Sequence, residues 1–217
     1  MNLEIDNIEL NFDNRKILYG VYLAAETGKV TGILGRNGCG KTSLLRILFG
    51  TLNAKYGNIR IDGIHQSKKL YLTKSVAYLP QHQLLPNNLK LRAAFRLFNV
   101  DRSHFAALFS SFNIHKKTKV NQLSSGELRV LETYLILNSD KKIILLDEPF
   151  SFIAPIYVDI MKDLINKKKQ KSVIVITDHF YRDILEVSDD VYLLKDGYSK
   201  LVHSKQTLVE EGYINLD

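Results

Sequence analysis

The chain has 217 residues, of which 45% are hydrophobic and 24% are charged, and its formal net charge is +7. This composition is ordinary for a globular protein and excludes a disordered or fibrous chain. The single cysteine, Cys39, excludes an intramolecular disulfide framework and a zinc site built from several cysteines. The positive charge leaves three kinds of partner open: nucleic acid, an anionic membrane surface, or ligands that carry phosphate.

The amino-terminal residues do not have the pattern of a secretory signal. Glu4 and Asp6 are acidic, whereas a signal carries basic residues before an apolar run. The purest apolar run, residues 143–146, is far shorter than the roughly 18–20 residues that cross a bilayer. We therefore expect a cytosolic protein without a membrane-spanning segment of its own.

Five segments have the pattern of β-strands. Apolar and aromatic residues occupy near-alternate positions in 5–12 and 17–23, which predicts antiparallel strands with one solvated face. The short aliphatic runs 30–34, 143–146 and 173–176 do not alternate. Such runs are typical of strands that are buried on both faces of a sheet.

Helical patterns follow each of the three aliphatic runs, at 43–49, 156–165 and 181–187. This order predicts an α/β fold in which crossover helices connect parallel strands. Residues 87–139 lack strand signals, and their candidate helices are 91–98, 104–112 and 127–137. We predict one domain, with a core formed by about 1–86 and 140–217 and a helical subdomain at about 87–139.

Three of the twelve glycines lie in one loop, where residues 35–42 match G-x-x-x-x-G-K-[ST] in full. The loop follows the strand at 30–34 and opens a helix, so its backbone N–H groups and the helix dipole would bind phosphate. The Lys41 ammonium would contact the β- and γ-phosphates, and the Thr42 hydroxyl would bind Mg²⁺. The residues predicted to bind the nucleotide here are Gly35, Asn37, Gly38, Cys39, Gly40, Lys41, Thr42 and Ser43.

Two adjacent carboxylates follow the strand at 143–146. Asp147 and Glu148 lie where a parallel sheet places its ligands, at the carboxyl end of a strand. In an enzyme with a phosphate loop, Asp147 would help hold Mg²⁺ and Glu148 would act on the water that attacks the γ-phosphate.

Residues 123–127, Leu-Ser-Ser-Gly-Glu, have two interpretations. Ser124 and Glu127 have the spacing of a capping box at a helix start. A cap does not explain Gly126, which weakens a helix by about 1 kcal/mol relative to alanine. The alternative is a site where the Ser124 hydroxyl and the backbone near Gly126 contact an anion.

Together these motifs resemble the nucleotide-binding subunit of ATP-binding cassette (ABC) transporters, over essentially the whole chain. By that resemblance, 35–42 is the Walker A loop, 123–127 the signature loop and 147–148 the end of Walker B. Gln81 corresponds to the Q-loop glutamine, a ligand of metal and water, and His179 to the switch histidine. Phe12 lies where the family places an aromatic ring against adenine, although it could instead be a core residue.

The resemblance implies a RecA-like P-loop core, an antiparallel β-rich amino-terminal part and a short helical subdomain. It implies an ATPase that uses ATP and Mg²⁺ and pairs with a second cassette, as a homodimer or with a related chain. Such a subunit would drive an integral membrane partner from the inner face of the cytoplasmic membrane, with no nucleic acid as partner. The strings 147–150 and 176–179 look most like the cassettes of lipopolysaccharide-export and branched-chain amino-acid systems.

The chain departs from the family pattern at three functional positions. Ser125 and Glu127 replace a glycine and the glutamine of the usual Leu-Ser-Gly-Gly-Gln, and Ala154 stands where an aspartate normally contacts the opposite cassette. These departures keep a slow regulatory ATP-binding module open as an alternative. A soluble ABC ATPase acting on nucleic acid or ribosomes is a second alternative, which the net charge permits.

Two further expectations concern side-chain environment. Cys39 lies in the anion-binding loop at a helix start, which should lower the pKa of its thiol. The lysine runs at 116–119 and 167–171 are either solvated surfaces or contacts to anionic lipid.

Overall fold

The computed structural model describes residues 1–13, 15–110, 112 and 118–215, and these contain ten strands and seven α-helices. Lys116 and Lys117 of the first lysine run lie outside the described residues. In chain order the elements are β1 (Asn2–Phe12), β2 (Arg15–Glu26), β3 (Val30–Leu34), α1 (Lys41–Phe49), β4 (Tyr56–Ile61), β5 (Ile64–His65), β6 (Val76–Leu79), α2 (Leu91–Phe98), α3 (Arg102–Leu108), α4 (Ser125–Asn138), β7 (Ile143–Asp147), α5 (Pro155–Lys169), β8 (Val173–Thr177), α6 (Tyr181–Val187), β9 (Asp190–Lys195), β10 (Tyr198–Val202) and α7 (Lys205–Glu210).

The strands form two sheets. The first is antiparallel with the order β2-β1-β4-β5, and its long strands β1 and β2 alternate between buried and solvated side chains over most of their length. The second has the order β10-β9-β3-β8-β7-β6, in which all neighbours are parallel except β10 and β9. Every residue of β3, β7 and β8 is buried, because helices or the first sheet cover both faces. The predicted mixed α/β fold is confirmed.

Apolar side chains pack on both faces of the parallel sheet. One core lies between the two sheets and includes Leu44, Leu45 and Leu48 of α1. The other packs α2, α3, α4, α5 and α6 against the opposite face, with residues such as Phe105 and Tyr134. Among the described residues, no helix combines the length and the apolarity that a bilayer crossing requires.

The element bounds differ from the sequence-based expectations at several places. Helix α3 ends at Leu108 rather than at residue 112, because the backbone of Phe109 is no longer helical. Strands β4, β5, β6, β9 and β10 and helix α7 were not among the elements predicted from the sequence. Strand β4, for example, contains Gly57 and only half-buried or exposed side chains, and it is held by long-range pairing with β1.

The parallel sheet brings four loops to one edge. Strands β3, β6, β7 and β8 run in the same direction, so their carboxyl ends lie side by side. The segments that follow them carry the phosphate loop, Gln81, Glu148 and His179. Ligands of α/β proteins bind at this edge, and the fold therefore positions the candidate site.

Candidate functional site

The candidate residues from the four loops line one cavity of about 500 Å³ at this edge. Its size is within the usual range for small-molecule sites. The residues that line it are Phe12, Arg15, Ile17, Asn37, Gly38, Gly40, Lys41, Thr42, Ser43, Gln81, Glu148 and His179. Ten of the twelve were predicted from the sequence, and Arg15 and Ile17 are additions from β2.

The phosphate loop has the geometry of an anion site. Gly40 is the N-cap of α1 at φ 107°, a left-handed conformation that favours glycine, and a Cβ there would lie 2.8 Å from Leu18 Cδ2. The first turn of α1 carries no acidic side chain, so its N–H groups and positive dipole end are uncompensated. The buried Lys41 ammonium donates to the carbonyls of Gly35, at 2.6 Å, and of Arg36, at 3.3 Å.

Asp147 is the centre of a hydroxyl cluster below the loop. Its Oδ1 accepts from Thr42 Oγ1 at 3.2 Å and from Thr177 Oγ1 at 2.8 Å, and its Oδ2 accepts from the Tyr78 hydroxyl at 3.0 Å. Burial, together with the Asp147 charge, raises the pKa of Tyr78, which therefore stays a donor. Sequence reasoning missed Tyr78 and Thr177, since no motif includes Tyr78, and within the string 176–179 only His179 was given a role.

The oxygen atoms around Thr42 fit a magnesium ion bound together with a nucleotide. The described residues contain no group of three or more His, Cys, Asp or Glu side chains that could hold a metal by themselves. Thr42, Asp147 and Gln81 instead supply hydroxyl, carboxylate and amide oxygens. Mg²⁺ is commonly bound by one or two protein oxygens plus phosphates and water, so this donor set suits it.

Glu148 connects the other two predicted catalytic residues. Gln81 Nε2 donates to both carboxylate oxygens of Glu148, at 3.0 and 3.1 Å, and His179 Nε2 lies 2.7 Å from Glu148 Oε1. The backbone of Glu148 has φ 57°, an uncommon value for a residue with a side chain. Strained backbone of this kind often occurs at functional sites.

Two buried charges on α4 hold the loops that carry these residues. The Arg129 guanidinium donates to the carbonyls of Pro80, at 2.7 Å, of Glu148, at 3.0 Å, and of Asp147. Glu132 Oε1 accepts from the N–H groups of Leu84 and Leu85, both at 2.8 Å. Neither residue was singled out in the sequence; the available signal was two charges among the apolar residues that follow the first turn of α4.

The chain matches the family described as "ABC transporter" over residues 18–151, which is more than half of its length. It is 30% identical to the lipopolysaccharide export system ATP-binding protein LptB of Haemophilus influenzae, covering 90% of this chain and 87% of that protein. The chain belongs to the ABC transporter family. It is an ATP-binding subunit of that family, as the phosphate loop and the cleft predicted.

Other comparisons agree with this assignment. LptB of Acidithiobacillus ferridurans is 29% identical, over 98% of this chain and 94% of that protein. The ribose import ATP-binding protein RbsA of Lacticaseibacillus paracasei is 28% identical over 92% of this chain, which spans only 43% of RbsA. A solved ATP-binding subunit of an ABC transporter has the same fold, with a TM-score of 0.79 at 18% identity over 100% of this chain and 96% of that one.

The signature loop of this ABC subunit is a capping box and lies outside its own cleft. Ser124 Oγ accepts from the Glu127 N–H at 3.3 Å, and a Glu127 carboxylate oxygen accepts from the Ser124 N–H at 2.8 Å. Gly126 also meets a steric constraint within its own chain, which the sequence did not suggest. A Cβ at Gly126 would lie 2.6 Å from the carbonyl oxygen of Phe152, so the loop after Walker B requires glycine there.

Phe12 and Cys39 lie on different sides of the phosphate loop. Phe12 is 46% exposed at the cleft, so it is not a core residue. The Cys39 side chain lines another cavity, together with Arg36 and Tyr213. The expected lowering of the thiol pKa is wrong, because burial raises the pKa of Cys39 and outweighs the charge of Lys41.

The loop after Walker B begins with the buried residues Phe150 and Ser151 and becomes exposed at Phe152 and Ala154. Ala154 is the N-cap of α5 and offers no side-chain acceptor to the helix. Phe152 is 84% exposed, with φ 66°. Asp178 holds this loop next to the switch histidine, because its carboxylate accepts from the N–H groups of Phe150, at 3.0 Å, and Phe180, at 3.2 Å. Burial raises the pKa of Asp178.

Proposed function

We propose that this ABC subunit hydrolyses Mg-ATP in its cleft and that the reaction drives an integral membrane partner. The proposal rests above all on the convergence of Gln81 and His179 on Glu148, beside the phosphate loop. The family membership supports the transport role. The amide, the imidazole and the carboxylate are the groups needed to position water and to stabilise charge at a γ-phosphate.

Each group in the cleft has a role in this proposal. The Lys41 ammonium exchanges the Gly35 carbonyl for phosphate oxygens, and the free N–H groups of the loop bind the same phosphates. Thr42, Asp147 and Gln81 would hold Mg²⁺, which when bound would neutralise negative charge on the phosphates. Phe12 stacks on the adenine ring.

Hydrolysis requires the three catalytic side chains to separate. Gln81 and His179 now occupy the carboxylate of Glu148, which leaves little capacity for water. When Gln81 and His179 turn away from it, the Glu148 carboxylate is free to accept a proton from the attacking water, and Gln81 would then be available to hold the metal. Bound ATP thus converts a closed network into a catalytic one.

We further propose that two copies of the chain complete each site. Ser124 and Gly126 do not line the cleft of their own chain, whereas their helix N-terminus carries free N–H groups. A head-to-tail dimer brings the Ser124 hydroxyl of one copy to the γ-phosphate held by the other. The helical subdomain, residues 87–139, and the Gln81 loop then face the membrane partner at the cytoplasmic surface.

The decisive experiment is the variant Glu148→Gln, assayed for phosphate release and for dimerisation with Mg-ATP. Loss of the general base should lower turnover roughly 100-fold or more and leave ATP binding intact. The trapped ATP state should appear as a dimer in light scattering. The control is Glu210→Gln, which neutralises an exposed carboxylate on α7 and should keep full activity. Unchanged turnover in Glu148→Gln would show that this carboxylate is not the base.

A further inference from the structure

The positive charge of the chain is concentrated in one quarter of its length. Residues 87–139 contain eight Lys and Arg against three Asp and Glu, a net +5 of the chain's +7. The other residues, which include the whole ATP cleft, are close to neutral. The nucleotide therefore does not account for most of the excess charge.

Three arginines of this segment surround one open cavity of about 710 Å³. Arg92 and Arg96 lie one turn apart on α2, and Arg102 is the first residue of α3. Within the described residues, none of the three guanidinium groups has a hydrogen bond or an ion pair. Unpaired arginines in a common cavity are available to bind an anion.

The one carboxylate in the cavity is already engaged. Asp101 caps α3, where it accepts from the N–H of Ser103 at 2.8 Å and from its hydroxyl at 2.7 Å. These bonds lower the pKa of Asp101, so it stays ionised and contributes one negative charge near the three arginines. The cavity thus keeps an excess of two positive charges.

The second lysine run, residues 167–171, differs from this cluster because its charges are partly used within the chain. The Lys168 ammonium donates to the Ser139 carbonyl at 2.6 Å, and Lys169 pairs with Asp189 at 3.0 Å. Lys167 and Lys171 are exposed. Of the two interpretations from the sequence, a solvated, partly structural surface fits this run better.

We propose that the cavity between α2 and α3 binds the headgroup phosphate of an anionic phospholipid at a membrane surface. Arginine is suited to this ligand, because its planar guanidinium forms paired hydrogen bonds with phosphate oxygens. Leu97 follows Arg96 on α2 and is 72% exposed, which places an apolar side chain near the cations. Lys90 and Lys119, paired in a β-bridge, are exposed on the same segment and extend its positive charge.

The chemistry favours lipid over an acidic polypeptide. A charge of +5 spread over one segment responds to the surface potential of a whole anionic leaflet, at about 1 kcal/mol for each Lys or Arg near the surface. A single acidic peptide would neutralise only those positive charges that it contacts. The contact would also hold the subunit at the membrane without using any residue of the ATP cleft.

The test is co-sedimentation of the full chain with vesicles at about 0.1 M salt, where exposed charges more than about 10 Å apart are largely screened. Vesicles of phosphatidylcholine alone are compared with vesicles in which a third of the lipid is phosphatidylglycerol. The variant replaces Arg92, Arg96 and Arg102 by serine, and the matched control replaces Lys68, Lys167 and Lys171 by serine. Removal of the three arginines should lower partitioning onto the anionic vesicles roughly 100-fold. The control should lower it far less.

Three results would overturn the proposal. Equal losses in the variant and the control would mean that diffuse net charge is responsible. Calorimetric binding of glycerol 3-phosphate as tight as vesicle binding would indicate a free-phosphate site. Binding of a glutamate decapeptide that depends on the arginines, without vesicle binding, would indicate an acidic polypeptide. ATP turnover of the same variant is measured in parallel, because the arginines lie outside the cleft and retained turnover separates this proposal from the proposed function.

Discussion

The buried guanidinium of Arg129 donates to the backbone carbonyl of Glu148 at 3.0 Å. Helix α4, which begins in the signature loop, thereby holds the backbone of Glu148, whose carboxylate is the proposed base. The same guanidinium reaches the Pro80 carbonyl, directly before Gln81. One side chain thus fixes the distance between the glutamine and the carboxylate, and we regard Arg129 as a positioning residue.

We expect Arg129→Met to lower both stability and turnover. Two buried carbonyls and one half-buried carbonyl lose a charged donor, which should cost about 3 kcal/mol of the free energy of unfolding. ATP binding should persist, because the phosphate loop is not touched, whereas kcat should fall as Glu148 loses its fixed position. Urea unfolding and nucleotide titration measure the two effects. Arg92→Met removes an exposed arginine and should change stability by no more than about 0.5 kcal/mol. A loss of kcat as small as that in Arg92→Met would contradict the positioning role.

Glu132 should make stability depend on pH. Burial raises the pKa of its carboxyl above the unfolded value, against the opposing effects of the Leu84 and Leu85 N–H groups and of the Arg129 charge. The folded state therefore binds the proton more readily, and the cost of ionising Glu132 disappears as the pH falls through the folded pKa.

In Glu132→Gln the neutral amide oxygen still accepts from both N–H groups, and the ionisation cost is gone. The variant should gain stability relative to the parent at pH 7 and lose that advantage near pH 4. Urea unfolding at the two pH values measures the difference. An advantage of the same size at both would show that Glu132 does not titrate differently on folding.

Ala154→Asp should stabilise the fold whatever it does to turnover. Ala154 is the N-cap of α5, followed by Pro155 at the first helical position, and no side chain caps this helix. Aspartate at an N-cap is worth about 1 kcal/mol relative to alanine. If the residue also contacts a second cassette, basal ATP hydrolysis should rise as well. Ala154→Asn separates the two effects, since asparagine caps the helix without a charge. If neither variant raises the thermal stability, the capping prediction is wrong.

Cys39 should react slowly with alkylating reagents at neutral pH. Because burial raises the pKa of the thiol, the thiolate fraction at pH 7 is lower than for a free cysteine, and labelling should accelerate about tenfold per pH unit until the pH reaches the raised pKa. The protein has one cysteine, so mass spectrometry of iodoacetamide-treated protein reports this site alone. A labelling rate that is already constant below pH 7 would mean that the helix N-terminus lowers the pKa of the thiol, contrary to this prediction.

The sequence by itself determined the class of fold and most of the cleft. The motif at 35–42, the strand runs and the positions of Gln81, Glu148 and His179 all depend on local spacing. Parallel strands place their carboxyl ends at one edge of the sheet, so residues that follow such strands lie close together there. The order of elements alone is therefore enough to predict their proximity.

Only the tertiary structure decided which atoms support that cleft. Tyr78 and Arg129 are 69 and 18 residues away from Asp147, and their contacts arise from packing across the sheet. The pKa of Cys39 was likewise decided by burial, which raises it, although its position in the anion-binding loop at a helix start had predicted a lowered value. Desolvation and long-range hydrogen bonds depend on the whole surroundings of a group, and local spacing does not contain that information.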